Sequence, residues 1–265
     1  MYYNKKMKCL LIYLIMSASL LYAADFGYQG THILTHGALE DAAKAFEKKY
    51  GINVVVKGGG CADGIAVVAK DRYEMGGLCC PLPREAAEKY GMIAHRVAVD
   101  IKAVIVNPKN SIKNLTLRQV SDIHSGTITD WKQVGGIHKP VALVFRDHCR
   151  DMDEPVRKAL GIAGPVAKKA IIVKTDKDVI EYVEKFPSAI GVVSRVLAEK
   201  AKVKIIDVDG VSPTPMNTEK GLYPITGDFY IITKGTPAGR TKKFIEFVLS
   251  EEGQSIIGKR LARVK

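Results

Sequence analysis

The sequence predicts an α/β protein of two lobes, with mainly parallel sheets and a central ligand cleft. Three observations carry that reading. Short β-branched runs alternate with segments of helical period along the chain, as βαβ units require. At 265 residues it is long enough to bury two cores. Aliphatic residues and glycine are plentiful while aromatics make up only 7%, which suits layered sheets and helices. No internal repeat or low-complexity linker interrupts the pattern, so any hinge is short.

Phe26 to Gly30 reads as a first strand, and Ala38 to Phe46 as a helix stopping at Tyr50-Gly51. Ile52 to Lys57 is a β-branched strand running into Gly58-Gly59-Gly60, with a helix over Gly64 to Lys70. A further strand ends in a glycine turn at Gly76-Gly77, and Pro83 to Lys89 is helical. Val97 to Val106 is a long apolar strand ending at Asn107-Pro108, the expected crossing between lobes. Leu117 to His124 is a helix, followed by a polar loop, Gly126 to Gly136, around Trp131, which is expected to pack. Val141 to Phe145, Ala170 to Val173, Ala189 to Val193 and Val203 to Val208 read as strands. Val156 to Leu160 and Asp176 to Phe186 read as helices between them. Gly210 to Pro224 is turn-rich, Phe229 to Thr233 is the last strand, and Thr241 to Ile257 forms one terminal amphipathic helix.

Residues 1–24 have the pattern of an export signal: Lys5, Lys6 and Lys8, an apolar run from Cys9 to Leu21, then Ala23 and Ala24. The run is too short for a secure membrane span. A cleaved, periplasmic, monomeric protein is expected. Its lobes are expected over 25–101 with 227–265, and over 102–226. Losing the three lysines lowers the net charge from +12 to +9. The basic residues are scattered among acids, with no aromatic-interleaved basic run, so nucleic acid is not an expected partner.

The chemistry collects at three junctions. Gly58-Gly59-Gly60-Cys61-Ala62-Asp63-Gly64 leads from a strand into a helix whose N-terminus favours an anion or a thiolate. Gly76-Gly77-Leu78-Cys79-Cys80-Pro81 follows, and Phe145-Arg146-Asp147-His148-Cys149-Arg150 ends another strand. These loops hold every cysteine remaining after export: Cys61, Cys79, Cys80 and Cys149.

The order of motifs resembles the phosphate-specific periplasmic binding proteins of ABC importers. The likeness rests on Asn114-Leu115-Thr116-Leu117-Arg118-Gln119-Val120, on Ile123 to Gly136, and on Ala189-Ile190-Gly191-Val192-Val193-Ser194. It extends through Asp209 to Pro215, Gly221-Leu222-Tyr223-Pro224 and Phe244 to Gln254. The resemblance implies a two-lobed type II fold closing on a small inorganic ligand, no enzymatic activity, and importer membrane subunits as partners. It also implies that four loops supply the ligand set. Gly30-Thr31-His32 matches the first loop. In the second, usually Gly-Gly-Gly-Ser-Gly-Thr-Gly, Cys61 replaces serine and Asp63 threonine. Cys79-Cys80-Pro81-Leu82 replaces a Ser-led third loop. Arg146 and Asp147 remain in the fourth, but His148-Cys149-Arg150 follows a shortened loop.

Cysteine thus occupies three of four ligand loops. A thiol is a poor donor to a phosphate oxygen and a thiolate repels the anion, which counts against tight phosphate binding. Exported cysteines commonly form disulfides, or pack as small hydrophobes. Their concentration in the ligand loops favours binding instead, of a soft metal ion, a metalloid or an iron–sulfur cluster. The expected ligand set is Thr31, His32, Gly60, Cys61, Ala62, Asp63, Cys79, Cys80, Arg146, Asp147, His148 and Cys149, with the four cysteines as metal ligands. Arg146 is expected to keep its role as anion partner, since its fork suits oxyanions. Asp63 has a second possible role, capping the helix. His36 lies near the first loop as a further nitrogen donor, while His95, His124 and His138 fall outside these loops. Oxyanion binding and a cluster-bearing redox protein are the competing readings.

Overall fold

The computed structural model describes residues 25–146 and 154–264. The export signal expected at 1–24, and Asp147, His148 and Cys149, lie outside them. β1 (Asp25–Thr31) runs into α1 (His32–Leu34), a π turn (Thr35–Leu39) and α2 (Glu40–Tyr50). β2 (Val55–Gly59), α3 (Cys61–Ala69), β3 (Tyr73–Leu78), α4 (Arg84–Tyr90) and the long β4 (Met92–Val106) follow. Next come β5 (Asn114–Leu115), α5 (Leu117–Ser125), a 3₁₀ turn (Trp131–Val134), β6 (Ala142–Arg146), α6 (Glu154–Ala159), β7 (Ile171–Val173) and α7 (Asp176–Lys185). The chain continues through β8 (Ala189–Ser194), α8 (Arg195–Ala198), β9 (Lys204–Ile205), β10 (Asp207–Val208) and α9 (Pro215–Glu219). β11 (Thr226–Lys234), α10 (Gly239–Leu249) and α11 (Glu251–Ile257) complete it. Among the described residues no helix is long and apolar enough to cross a membrane.

The main sheet has the order β2-β1-β3-β11-β4-β8-β6-β7, with β9 also on β4. Its flanks are parallel: β1 with β2 and β3, β6 with β7 and β8. β4 and β11 run antiparallel through the centre. β4 changes partner midway. It pairs with β11 from Met92 to Ile101 and with β8 from Lys102 to Val106. Its residues from Val97 to Val106 are all buried, because helices cover both faces there. In the first lobe one face packs Tyr28, Leu34, Phe46, Phe229 and Phe244, the other Val67, Val68, Leu78 and Ile232. In the second, Trp131 and Leu143 lie on one face, Val144, Val179 and Val183 on the other. Trp131 therefore packs as expected, with its indole N–H donating to Ser188 O.

Several expected elements shift. α3 begins at Cys61, three residues before the expected Gly64. Gly76 and Gly77 lie inside β3 and make no turn. Their reason is close approach: a Cβ on Gly64 would fall 2.6 Å from Gly77 O, and one on Gly30 2.3 Å from Gly77 Cα. The terminal helix divides at Ser250, which turns extended and accepts the Gly253 N–H at its hydroxyl. Val203 to Val208 divides into β9 on β4 and β10 on β5. Within the turn-rich stretch, Thr214 caps α9 and Pro215 opens it.

Candidate functional site

The carboxyl ends of β1, β2, β3, β6 and β7 all feed one cleft, the usual ligand position of parallel α/β sheets. The cleft encloses about 590 Å³ and is lined among others by Thr31, Cys61, Cys79, Arg146, Lys174 and Asp176. Cys61 is the first residue of α3 and is buried. Gly60, in extended conformation, caps that helix, and its N–H donates to Asp63 Oδ2 at 2.7 Å. The Asp63 carboxylate thus sits at the positive end of the helix dipole.

Cys79 and Cys80 follow β3 directly. Cys61 Sγ lies 3.2 Å from Cys79 Sγ, and Cys79 Sγ lies 3.7 Å from Cys80 Sγ. The three sulfurs are all within 4.8 Å of one another. None of the three residues is in a disulfide. The Cys79 backbone N–H donates to Cys61 Sγ at 3.2 Å. The Cys79 thiol is held well below its ordinary pKa by hydrogen bonds, first from Cys61 and then from Cys80. Burial opposes the shift, while the charges of Lys102 and Arg146 reinforce it. Among the described residues no histidine or carboxylate belongs to this sulfur group.

Two ion pairs flank the cluster. Lys102 Nζ meets Asp100 Oδ2 at 2.7 Å on β4, and Ser194 Oγ donates to Asp100 Oδ1 at 2.6 Å. Burial raises the Asp100 pKa. Burial alone would lower that of Lys102, but the Asp100 carboxylate outweighs it and keeps the ammonium charged. At the end of β6, Arg146 Nη1 donates to Asp176 Oδ2 at 2.7 Å, while Arg146 still lines the cleft. On the other side of the cluster, a second cavity of about 380 Å³ is lined by Cys80, Pro81, Lys158, Asp228 and Tyr230.

The chain matches the family model described as a PBP superfamily domain over residues 35–252. It is 28% identical over 221 residues to the phosphate-binding protein PstS of Bacillus subtilis (strain 168), covering 83% of this chain and 73% of that one. It is 30% identical to a crystal structure of a putative phosphate ABC transporter substrate-binding protein with bound phosphate from Clostridium perfringens. The TM-score is 0.74, with 90% of this chain and 99% of that one covered. The chain belongs to the PstS-like family. An ABC-type phosphate transport receptor from Vibrio cholerae is similar at 25% identity, with a TM-score of 0.68 over 90% of this chain and 99% of that one.

In this PstS-like chain most of the expected ligand residues reach the cleft. Thr31, His32, Gly60, Cys61, Asp63, Cys79 and Arg146 line it. Cys80 joins through its sulfur and faces the second cavity. Ala62 is exposed and is not among the lining residues. Asp147, His148 and Cys149 fall outside the described residues. His32 is exposed at the rim and stacks on His36 with ring centroids 5.8 Å apart. His36 bonds Glu40 Oε1 on the exposed side of its helix. His124 is fully buried, with Nδ1 bonded to Val120 O.

Sequence reasoning missed Lys174, Thr175, Asp176 and Lys177, which line the cleft between β7 and α7. The strand and helix were both read, and their junction is a fifth strand-to-helix turn of the same type. Asp100 and Lys102 were missed because they sit inside an otherwise apolar strand. Charged residues at such buried positions are almost always paired, and that was the available signal.

Proposed function

We propose that this PstS-like protein is an exported solute receptor whose cleft captures a thiophilic inorganic ligand for an ABC importer.

 

The receptor is periplasmic and non-enzymatic, and its ligand is a soft metal ion, a metalloid or an iron–sulfur cluster. Cys61, Cys79 and Cys80 supply the sulfur ligands, with Cys149 completing the set. The observation that carries the reading is three sulfurs within 4.8 Å of one another, two of them from Cys61 and Cys79 that line the cleft into which the parallel strands open, the third from the adjacent Cys80. Thiolates select soft ions, and the α3 N-terminus with the nearby Lys102 and Arg146 stabilises them. The lobes comprise 25–101 with 227–265, and 102–226, a division supported by the change of partner along β4 at Lys102. Lobe closure completes the coordination and presents the closed form to the importer's membrane subunits.

The test is metal retention by the mature protein and by Cys61→Ser and Cys149→Ser, measured by elemental analysis. Each substitution is expected to lower retention strongly, and unchanged stoichiometry in both sinks the proposal. A second reading is favoured by the relatives, whose names describe phosphate binding, and by Arg146, Lys174 and Thr31 in the same cleft. In that case the ligand is phosphate or a related oxyanion. Isothermal titration of metal-free protein with phosphate separates the two, since micromolar affinity would establish the second.

A further inference from the structure

We infer that the cleft holds a single soft ion bound directly by Cys61, Cys79 and Cys80, a monovalent d¹⁰ metal or a trivalent metalloid, and not a cubane iron–sulfur cluster. This rests on the thiophilic reading above and narrows it. Sulfurs bound to one ion at about 2.3 Å lie about 3.8 Å apart at a tetrahedral angle. The contacts here are 3.2 Å and 3.7 Å and all three sulfurs lie within 4.8 Å of one another, so a single ion needs sulfur movements of about an ångström or less. Cysteines on a cubane cluster bind different irons, and the cluster's own edge holds their sulfurs farther apart. Opening this triad to that spacing would require moving Cys61 away from Cys79. The backbone resists that movement. Cys61 is fixed at the start of α3, where Gly64 packs directly against the Gly77 backbone, and the Cys79 N–H is bonded to its sulfur.

The donor set narrows the ion further. No histidine or carboxylate belongs to the sulfur group among the described residues, so hard cations find no oxygen ligands in it. Three-sulfur coordination suits a cuprous ion or a trivalent metalloid. For a cuprous ion, three thiols release three protons to solvent and no electron moves. For a metalloid trihydroxide, three S–H and three metalloid–OH groups become three metalloid–sulfur bonds and three waters. Neither step needs an oxidant or reductant.

X-ray absorption on the reduced mature protein tests this, loaded in one arm with cuprous ion without oxygen and in the other with arsenite. The expected result in at least one arm is one equivalent bound, a shell of sulfur neighbours and no metal–metal vector. The arm with the higher affinity identifies the source. The Cys79→Ser protein is expected to lose one sulfur neighbour and at least tenfold in affinity, with its circular dichroism reporting intact folding. A metal–metal vector or several equivalents in the protein as isolated overturns the single-ion inference while leaving thiophilic binding in place. Failure of both ions to bind, with the thiols reduced and phosphate bound tightly, overturns the underlying reading as well.

Discussion

Cys79 stands at the centre of the cluster, touching both other sulfurs, and its pKa is lowered well below the ordinary thiol value. Its thiolate is favoured chiefly by hydrogen bonding from Cys61. Replacing Cys61 with alanine is therefore expected to move the midpoint of Cys79 alkylation upward in pH, toward the ordinary thiol value near ~8.5. The rate profile with iodoacetamide reads this directly, and an unshifted midpoint contradicts the hydrogen-bond account. The lowered pKa also adds stability that is fully present above the ordinary thiol pKa and is lost as pH falls through the lowered value. His124 works differently. Burial lowers its pKa to about 4, so between its ordinary value and that point the unfolded chain binds the proton first. Stability should decline as pH falls through this window, by about 3 kcal/mol in all. Denaturant unfolding of His124→Gln at several pH values should show a shallower decline; an equal one removes His124 as its source.

At the level of elements, the position of the cluster depends on how closely α3 lies on β3. Gly64 makes that approach possible, and a Cβ there meets backbone, which cannot turn aside. Gly64→Ala is expected to cost about 1–3 kcal/mol and to weaken soft-ion binding by displacing Cys61. Chemical denaturation together with an ion titration checks both parts, and full stability with wild-type affinity would contradict the packing argument. On β4, Lys102→Met leaves the buried Asp100 without its cation and should lower stability by about 3 kcal/mol. An unchanged denaturation midpoint would show that Asp100 is already neutral. Most strands and helices were legible because apolar period marks them. Gly76 and Gly77 were misread because glycine allows a turn and a close helix–strand contact alike, and only the three-dimensional neighbour decides. The division at Ser250 was hidden because apolar residues keep their helical spacing across it.

For the molecule as a whole, the alternation of strands and helices made the α/β class legible, and the motif order made the family legible. The antiparallel centre was not, because the partners of β4 come from β8 and β11, far along the chain. The sulfurs of Cys61, Cys79 and Cys80, on two loops that the sequence marks by their cysteines, lie within 4.8 Å of one another, whereas the junction between β7 and α7 carried no unusual residue to mark it. If the cleft closes on its ligand, saturation with a soft ion should reduce the radius of gyration in solution scattering. An unchanged value at saturation argues against closure.

The most direct measurement is elemental analysis of the mature protein purified without oxygen, with a count of reactive thiols before and after chelation. The account predicts a stoichiometric soft element whose removal exposes at least the thiols of Cys61, Cys79 and Cys80. A metal-free protein in which these thiols already react fully, and which binds phosphate tightly, would contradict it.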